Sequence, residues 1–287
     1  MKTFKEEEYL SPEEFEILSN FIYHKSGIKM ESNKTYIMNN RVQKRIRELN
    51  MSKPSEYIRY LRFSDKTGKE LQELLNLVTV NETFFFRDFQ QLEAFVECLR
   101  DVVERKMKND DYSIRIWSAG CSTGEEPYTL GIILNEILDD IKKWNVVLTA
   151  SDIDQVILSR AEKGVYDPRS VKETPEEYVK NYFHYDPDSN TYHINNEIKN
   201  LVRFEHLNLN DKEKMRMKRN YDFIFCRNVL IYFDDDSRRR AVEHFYSALN
   251  YNGFIFLGSS ESMGRITSAF RLIRLNKYLV YNKEQDV

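Results

Sequence analysis

The sequence has 287 residues, of which 41% are hydrophobic and 31% charged, and its formal net charge is -3. This composition excludes a disordered chain, and the small negative charge gives no overall attraction to nucleic acid or to an anionic membrane. No stretch reaches the roughly 20 apolar residues of a membrane span, and MKTFKEEEYL lacks the apolar core of a signal peptide, so we expect a cytoplasmic protein without membrane insertion.

The first predicted domain, residues 1–78, is all helical. Ser11 is followed by a proline and two glutamates, which is the pattern of a capped helix start. Apolar residues at helical spacing predict further helices at Asn33 to Leu49, Pro54 to Phe63 and Glu70 to Thr79.

The helix predicted at Asn33 to Leu49 is basic on one side. Its cations are Lys34, Arg41, Lys44, Arg45 and Arg47. There is no acidic residue between Asn33 and Arg47. A solvated surface usually mixes both signs, so this face indicates an acidic partner, and an ordinary solvated face is the alternative.

A linker follows at 79–98 and begins with VNETFFFRD, residues 80–88. If this stretch starts a helix, Thr83 and Arg87 stand on one face at i and i+4. We expect at least two of the three phenylalanines to pack in the core. For Arg87 the alternative to a functional role is a surface salt bridge.

After Lys108 the pattern changes to strands and helices in alternation, which predicts an α/β domain over 99–287 with mostly parallel strands. The predicted strands are Ser113 to Ala119, Val146 to Ser151, Val202 to Leu207, Asp222 to Cys226 and Phe254 to Gly258. The predicted helices are Glu126 to Leu138, Gln155 to Glu162 and Ser237 to Leu249. The chain ends in an antiparallel pair of strands at the sheet edge, with a tight turn near Asn276.

The segment 164–202 is too long for a simple connection. It contains YFHYDPDSNTYHI, in which alternating aromatic residues flank a polar turn. This is typical of a β-hairpin and predicts a small β-subdomain inserted into the sheet domain.

The first strand of the α/β domain runs into WSAGCSTGEEPYTL, a loop with Gly120 and Gly124 at the start of a helix. Such glycines indicate positive φ or a close approach of the backbone, so the loop is a candidate ligand cradle, and a plain tight turn is the alternative. It is neither a P-loop nor GxGxxG. Glu125 and Glu126 would repel a phosphate but attract an amino group.

Polar residues also stand at the ends of two other strands, where doubly wound sheets bind ligands. Asp152 is placed to accept hydrogen bonds from two ribose hydroxyls, whereas Asp154 fits a helix cap. Arg227 and Asn228 end an apolar strand, where a ligand would satisfy them. Together these motifs indicate a nucleoside with an attached amino acid.

Three cysteines and five histidines complete the candidates for chemistry. The cysteines form no CxxC pair, and the histidines have no HExxH or comparable spacing. We therefore predict reduced thiols and no metal site.

In this order and spacing, the motifs VNETFFFRD, WSAGCSTGEEPYTL, ASDID, FCRNVLIYF and FIFLGSSE resemble the CheR-type chemoreceptor glutamate methyltransferases. The resemblance covers nearly the whole chain. It implies a class I S-adenosylmethionine (SAM) methyltransferase sheet of Rossmann-like type, an all-α N-terminal domain and S-adenosylhomocysteine as product. It also implies, as partners, the cytoplasmic methylation helices of receptors, with the enzyme acting as a monomer and without nucleic acid.

The resemblance also implies roles for individual residues. Arg87 and Tyr232 would face the reacting centre, and Arg41, Lys44 and Arg45 would engage the receptor. The cofactor would contact Asn81, Thr83, Arg87, Gly120, Glu126, Asp152, Asn208, Leu209, Asn228 and Val229. The acidic loop Asp186 to Asn190 is longer than in family members that bind a receptor peptide tether, so we expect direct recognition of the methylation helices.

Two other functions stay open at this point. One is a regulatory or scaffold protein that binds the cofactor without transfer, and intact Arg87 and Tyr232 speak against it. The other is a methyltransferase of another substrate such as nucleic acid, which would favour a basic rim around the active-site mouth.

Overall fold

The structure is a computed structural model that describes residues 9–79, 81–264, 266–275 and 278–284, with the side chain of Lys34 also left undescribed. The helices in this part of the chain are α1 (Pro12–Ser26), α2 (Thr35–Glu48), α3 (Pro54–Phe63), α4 (Lys69–Val78), α5 (Phe89–Lys108), α6 (Glu125–Ile137), α7 (Gln155–Lys163), α8 (Pro168–Val171), α9 (Glu176–Tyr182), α10 (Asn196–Lys199), α11 (Lys212–Arg216) and α12 (Asp235–Ala248). The strands are β1 (Ser113–Ala119), β2 (Asn145–Asp152), β3 (Val165–Tyr166), β4 (Phe183–Asp186), β5 (Thr191–Ile194), β6 (Val202–His206), β7 (Tyr221–Cys226), β8 (Leu249–Leu257), β9 (Arg271–Leu275) and β10 (Tyr278–Asn282).

The N-terminal helices form where the sequence predicts them. Ser11 caps α1 by accepting a hydrogen bond from the Glu14 amide, and the Glu14 carboxylate accepts from the Ser11 amide, which completes a capping box. Met38 and Val42, in the apolar stripe of α2, are fully buried. Gly27 ends α1 in the left-handed conformation, with φ 78°.

A buried ion pair connects three of these helices. The guanidinium of Arg45 on α2 donates two hydrogen bonds, of 2.8 and 2.7 Å, to the carboxylate of Glu70 on α4. The hydroxyl of Tyr57 on α3 donates to the same carboxylate at 2.8 Å. The Glu70 side chain is 5% exposed. Because both charges are removed from water, each depends on the other for compensation.

The sheet of the second domain has seven strands in the order β6-β2-β1-β7-β8-β10-β9. Neighbours from β6 to β8 pair in parallel, and β10 lies antiparallel between β8 and β9. This confirms the predicted mostly parallel sheet with an antiparallel C-terminal pair, while the turn predicted near Asn276 lies outside the described residues. The strand order reverses between β1 and β7, and such a switch point opens a crevice at the carboxyl ends of the strands.

The predicted insertion is a separate three-stranded sheet in the order β3-β5-β4. Strands β4 and β5 pair in the antiparallel register Phe183↔Ile194 to Asp186↔Thr191, so DPDSN forms the hairpin turn as predicted.

The two domains share a hydrophobic core. One cluster of buried side chains contains Leu18 and Ile22 of α1 together with Trp117 of β1 and Ile224 of β7. The helical domain therefore packs on one face of the sheet instead of forming an independent unit. Helix α5 runs without a break through residue 98, so the boundary expected between 98 and 99 falls inside a continuous helix.

We expect Glu70→Ala to lower the free energy of unfolding by about 3 kcal/mol, because it leaves the Arg45 guanidinium buried without its partner. Urea unfolding measures this value. Glu48→Ala is the matched control, since Glu48 is 44% exposed and pairs with the same arginine; its expected cost is below about 1 kcal/mol. Equal costs for the two variants would contradict a buried role for Glu70.

Candidate active site

A single cleft lies at the carboxyl ends of β1, β2 and β7. It contains all of the predicted cofactor and reaction-centre positions. These are Asn81, Thr83, Arg87, Gly120, Glu126, Asp152, Asn208, Leu209, Asn228, Val229 and Tyr232. Residues more than 150 positions apart in sequence thus face one space because parallel strands end at the same edge of the sheet.

The two glycines of the loop after β1 are explained by packing inside the protein. Gly120 has φ +84°, and a Cβ atom there would lie 2.2 Å from Cγ2 of Val229. The loop therefore approaches the segment after β7 so closely that no side chain fits. Gly124 has φ +94° and faces Tyr166 and Phe204, so its role is to pack α6 against its neighbours.

Asp152 connects the end of β2 to this loop. Its carboxylate accepts hydrogen bonds from the amides of Ser122, at 2.9 Å, and Asp154, at 3.0 Å. Burial raises the pKa of Asp152, and these two amides oppose the shift. Each oxygen keeps a lone pair that can accept from a ligand hydroxyl. Asp154 caps α7 by accepting from the Ile157 amide, as predicted.

The two consecutive glutamates have different surroundings. Glu125 is 2% exposed and faces away from the cleft, where it accepts hydrogen bonds from Thr123 and Ser170. Burial raises the pKa of Glu125. Glu126 lines the cleft and accepts from the Ser118 hydroxyl at 2.7 Å, so it is the acid positioned for an amino group.

The polar partners of Arg227 come in part from the protein itself. The protein itself supplies partners for the two terminal nitrogens of this buried guanidinium, through Asp88 at 2.7 Å, Glu126 at 3.2 Å and the carbonyl of Arg87 at 2.9 Å, while its Nε atom has no hydrogen-bond partner. Arg227 lies in the cleft wall, but its paired cation mainly joins the starts of α5 and α6 to the end of β7. Such a network holds the wall rigid because a buried charge is costly without these partners.

The linker before α5 is not helical, so the expected i and i+4 arrangement of Thr83 and Arg87 is wrong. Residues 81–84 are irregular, a turn follows at 85–86, and Phe86 has φ 57°. Phe85 and Phe86 are buried, which confirms that two of the three aromatic residues belong to the core. Tertiary packing of these rings determines the backbone here and overrides the local helical spacing.

Arg87 and Tyr232 both line the cleft and lie near each other. The guanidinium of Arg87 donates to the Glu82 carbonyl at 3.0 Å and packs over the Phe84 ring at 5.6 Å. Burial raises the pKa of the half-buried Tyr232, while the nearby charge of Arg87 lowers it. The phenol is thus protonated at neutral pH and can donate a hydrogen bond.

The helical domain supplies another wall of the cleft. Ile28 and Met30, after α1, and Ile37 and Arg41 of α2 all line it. Arg41 donates to the carbonyl of Val78 at 3.2 Å, and burial lowers its pKa. The shared core brings Arg41 of the basic helix to the reaction centre. In the sequence, a glycine at 27 followed by the alternating apolar residues Ile28 and Met30 is the pattern that predicts this wall.

The other receptor-binding candidates differ in availability. Arg45 is 13% exposed and is held by Glu70 and Glu48, so it is not part of a free cationic face. Lys44 is 59% exposed and lies 4.0 Å from Glu48. Glu48 and Glu70, which lie outside the interval between Asn33 and Arg47, therefore neutralise part of the expected face of five cations. The side chain of Lys34 is not among the described ones.

No group of metal-ligating residues occurs within the described ranges. The three cysteines are free and buried, and burial raises the pKa of Cys98 to about 12. In the same part of the chain, no helix is long and apolar enough to cross a membrane.

A mostly parallel sheet with one antiparallel strand inserted near its edge, together with a cleft at the switch point that carboxylate and amide side chains help to line, is the arrangement of a class I methyltransferase with a nucleoside cofactor. The chain belongs to the CheR methyltransferase family. Residues 13–79 match the family's all-alpha domain and residues 81–279 its SAM binding domain. The cofactor is accordingly S-adenosylmethionine.

Several relatives match over most of their length. Chemotaxis protein methyltransferase 2 of Vibrio cholerae serotype O1 is 42% identical over 264 residues, which cover 92% of this chain and 90% of the relative. The chemotaxis protein methyltransferase of Borreliella burgdorferi is 31% identical, with coverage of 95% and 92%. The enzyme of Escherichia coli K12 is 32% identical, with coverage of 92% and 89%.

The residues of the cleft fit this cofactor. Asp152 can accept from ribose hydroxyls, and Glu126 can accept from an ammonium group. Leu209 and Val229 provide apolar walls for a base. In this assignment, which we propose from the lining residues, Asn81 and Thr83 lie at the amino acid end and Asn208 at the adenine end.

We expect Asp152→Ala to weaken S-adenosylhomocysteine binding by roughly ten- to hundredfold, since a hydrogen bond to a charged group contributes about 1.5–3 kcal/mol. Isothermal titration calorimetry measures the affinity. Asp167→Ala is the control, because Asp167 caps α8 and does not line the cleft. An affinity of Asp152→Ala equal to that of the control would remove Asp152 from the binding site.

Proposed function

We propose that the chain methylates the side-chain carboxylate of specific glutamates in the cytoplasmic helices of bacterial chemoreceptors. Membership of the CheR family and the relatives named chemotaxis protein methyltransferases support this substrate. The observation that carries it is the pair Arg87 and Tyr232 at a cleft in which no described lining residue is a histidine. The site can orient an anion and has no imidazole to act as a base.

A carboxylate substrate matches such a site. A glutamate side chain has an ordinary pKa of about 4.3, so it is already ionised at neutral pH and requires no general base. Bound S-adenosylmethionine supplies a methyl group on a positively charged sulfur. Arg87 and Tyr232 then hold the carboxylate in line by hydrogen bonds, and positioning supplies most of the rate enhancement.

The walls of the cleft favour the loss of charge that accompanies ester formation. Ile37, Leu209 and Val229 line the space with apolar groups, which limits the access of water. A carboxylate becomes neutral when it is esterified, and this change is easier in a low-dielectric site than in water.

The position of α2 supports docking of an acidic receptor helix beside the cleft. Arg41 lies in the wall and Lys44 is exposed one turn further along the same helix. We propose these two cations as receptor contacts. Arg45 is excluded because Glu70 and Glu48 hold it. The receptor helices place the reaction in the cytoplasm.

We expect Arg87→Ala to reduce methyl transfer by roughly a hundredfold while leaving the fold intact, because one oriented donor to the reacting anion is lost. Transfer of labelled methyl groups to receptor-containing membranes measures the rate. Arg169→Ala is the control, since that side chain is 90% exposed. Turnover of Arg87→Ala near that of the wild type would refute the role.

The absence of a required base gives a second prediction. Because the substrate is ionised and Tyr232 stays protonated, we expect kcat at saturating substrate to be nearly constant from about pH 6.5 to 8.5. A pH series of initial rates measures this. A tenfold rise with pH across that interval would show that the reaction depends on deprotonation of a residue in the site.

A further inference from the structure

The segment after β7 carries Asn228, Val229 and Tyr232, and its backbone is unusual. Asn228 adopts φ 58°, a left-handed conformation that costs free energy for a residue other than glycine. A single 3-10 turn at Leu230–Tyr232 follows. Regular secondary structure thus does not hold this wall of the cleft, and other contacts must define its conformation.

The carboxylate of Glu261 makes these contacts. Its Oε2 atom accepts hydrogen bonds from the amides of Asn228 and Gly258, each at 2.7 Å. Its Oε1 atom accepts from the amide of Ile231 at 3.2 Å. One side chain therefore satisfies three backbone donors and joins the segment after β7 to the segment after β8. Hydrogen bonds to an ionised acceptor are about twice as strong as neutral ones.

Gly258 lies close to this carboxylate. A Cβ atom at Gly258 would lie 2.7 Å from Oε2 of Glu261 and 3.0 Å from the amide nitrogen of Asn228. Glycine at 258 is therefore required for the carboxylate to reach the Asn228 amide. Glu261 and Gly258 act as one unit in this contact.

The helical domain holds the same segment from its other side. The amide of Lys29 donates to the carbonyl of Tyr232 at 2.8 Å, and Ile28 forms a β-bridge with Phe233. Glu261 does not line the cleft, so its influence passes through the backbone that it fixes. The Asn228 contact holds the backbone at one wall of the cleft, and the Ile231 contact holds the backbone next to Tyr232.

We propose that Glu261 is a positioning residue that sets the cofactor wall through one carboxylate oxygen and the orientation of Tyr232 through the other. The proposal rests on the methyl transfer proposed above. A glutamine at 261 distinguishes the two oxygens, because its amide oxygen can still accept from Asn228 and Gly258, whereas its NH₂ group would face the Ile231 amide, donor against donor.

The test compares Glu261→Gln, Glu261→Ala and the control Asp111→Asn. Asp111 accepts from the Ser113 amide at the start of β1, at the opposite end of the sheet from the cleft. Calorimetry measures S-adenosylhomocysteine affinity without receptor, labelled transfer measures kcat, and thermal melts monitor folding. Since binding is measured without substrate, and wild-type transfer is measured in parallel, failure of this proposal is distinguishable from failure of the proposed substrate.

We expect Glu261→Gln to keep cofactor affinity within about threefold and to lower kcat by about tenfold, and Glu261→Ala to lower both by at least about tenfold. Asp111→Asn should change neither by more than about twofold. Glu261→Ala with wild-type affinity and kcat would overturn the proposal. So would equal losses in Glu261→Gln and Glu261→Ala, because the two oxygens would then have no separate roles.

Gly258→Ala provides an independent route to the same contact. We expect it to lower cofactor affinity as Glu261→Ala does, and the double variant to be no worse than the more affected single variant, because both changes remove one interaction. Losses that add in the double variant would overturn the coupling and the proposal with it.

Discussion

The contact between the turn after β1 and the ends of its neighbouring strands is the constraint on which the cleft depends. Gly120 packs directly against Val229 on one side, and the amide of Ser122 donates to Asp152 on the other. The turn is thus fixed to β7 and β2 together. The missing Cβ atom allows the approach, and the buried carboxylate of Asp152 lines the cleft and keeps lone pairs that can accept further hydrogen bonds.

The helical domain completes the site and is not an appended binding module. Its side chains enter the same core as β1 and β7, and its segment after α1 pairs with the backbone beside Tyr232. Arg41 thereby stands in the cleft wall on the helix that also presents Lys44. The docking face that we propose on α2 and the reaction centre are therefore parts of one continuous surface.

The sequence predicts the sheet and the polar residues at its strand ends because both follow local rules: apolar runs, helix caps and acids after strands. It does not predict the conformation of the linker at 81–88, because buried phenylalanines determine the backbone there. Nor does it predict the pairing of Arg45 with Glu70, because the two residues are far apart along the chain. Asp152 ends β2 and Glu261 comes shortly after β8, so the rule of acids at strand ends indicates both, but the partners of Glu261 depend on the folded arrangement of two loops. The roles assigned to individual cofactor and receptor contacts stay predictions.

The most direct test of this account is a crystal structure of the chain with S-adenosylhomocysteine. The account predicts a nucleoside whose ribose hydroxyls lie within hydrogen-bonding distance of Asp152 and whose sulfur faces the gap between Arg87 and Tyr232. A nucleoside bound elsewhere, or a cleft closed by protein side chains in the presence of saturating ligand, would contradict it.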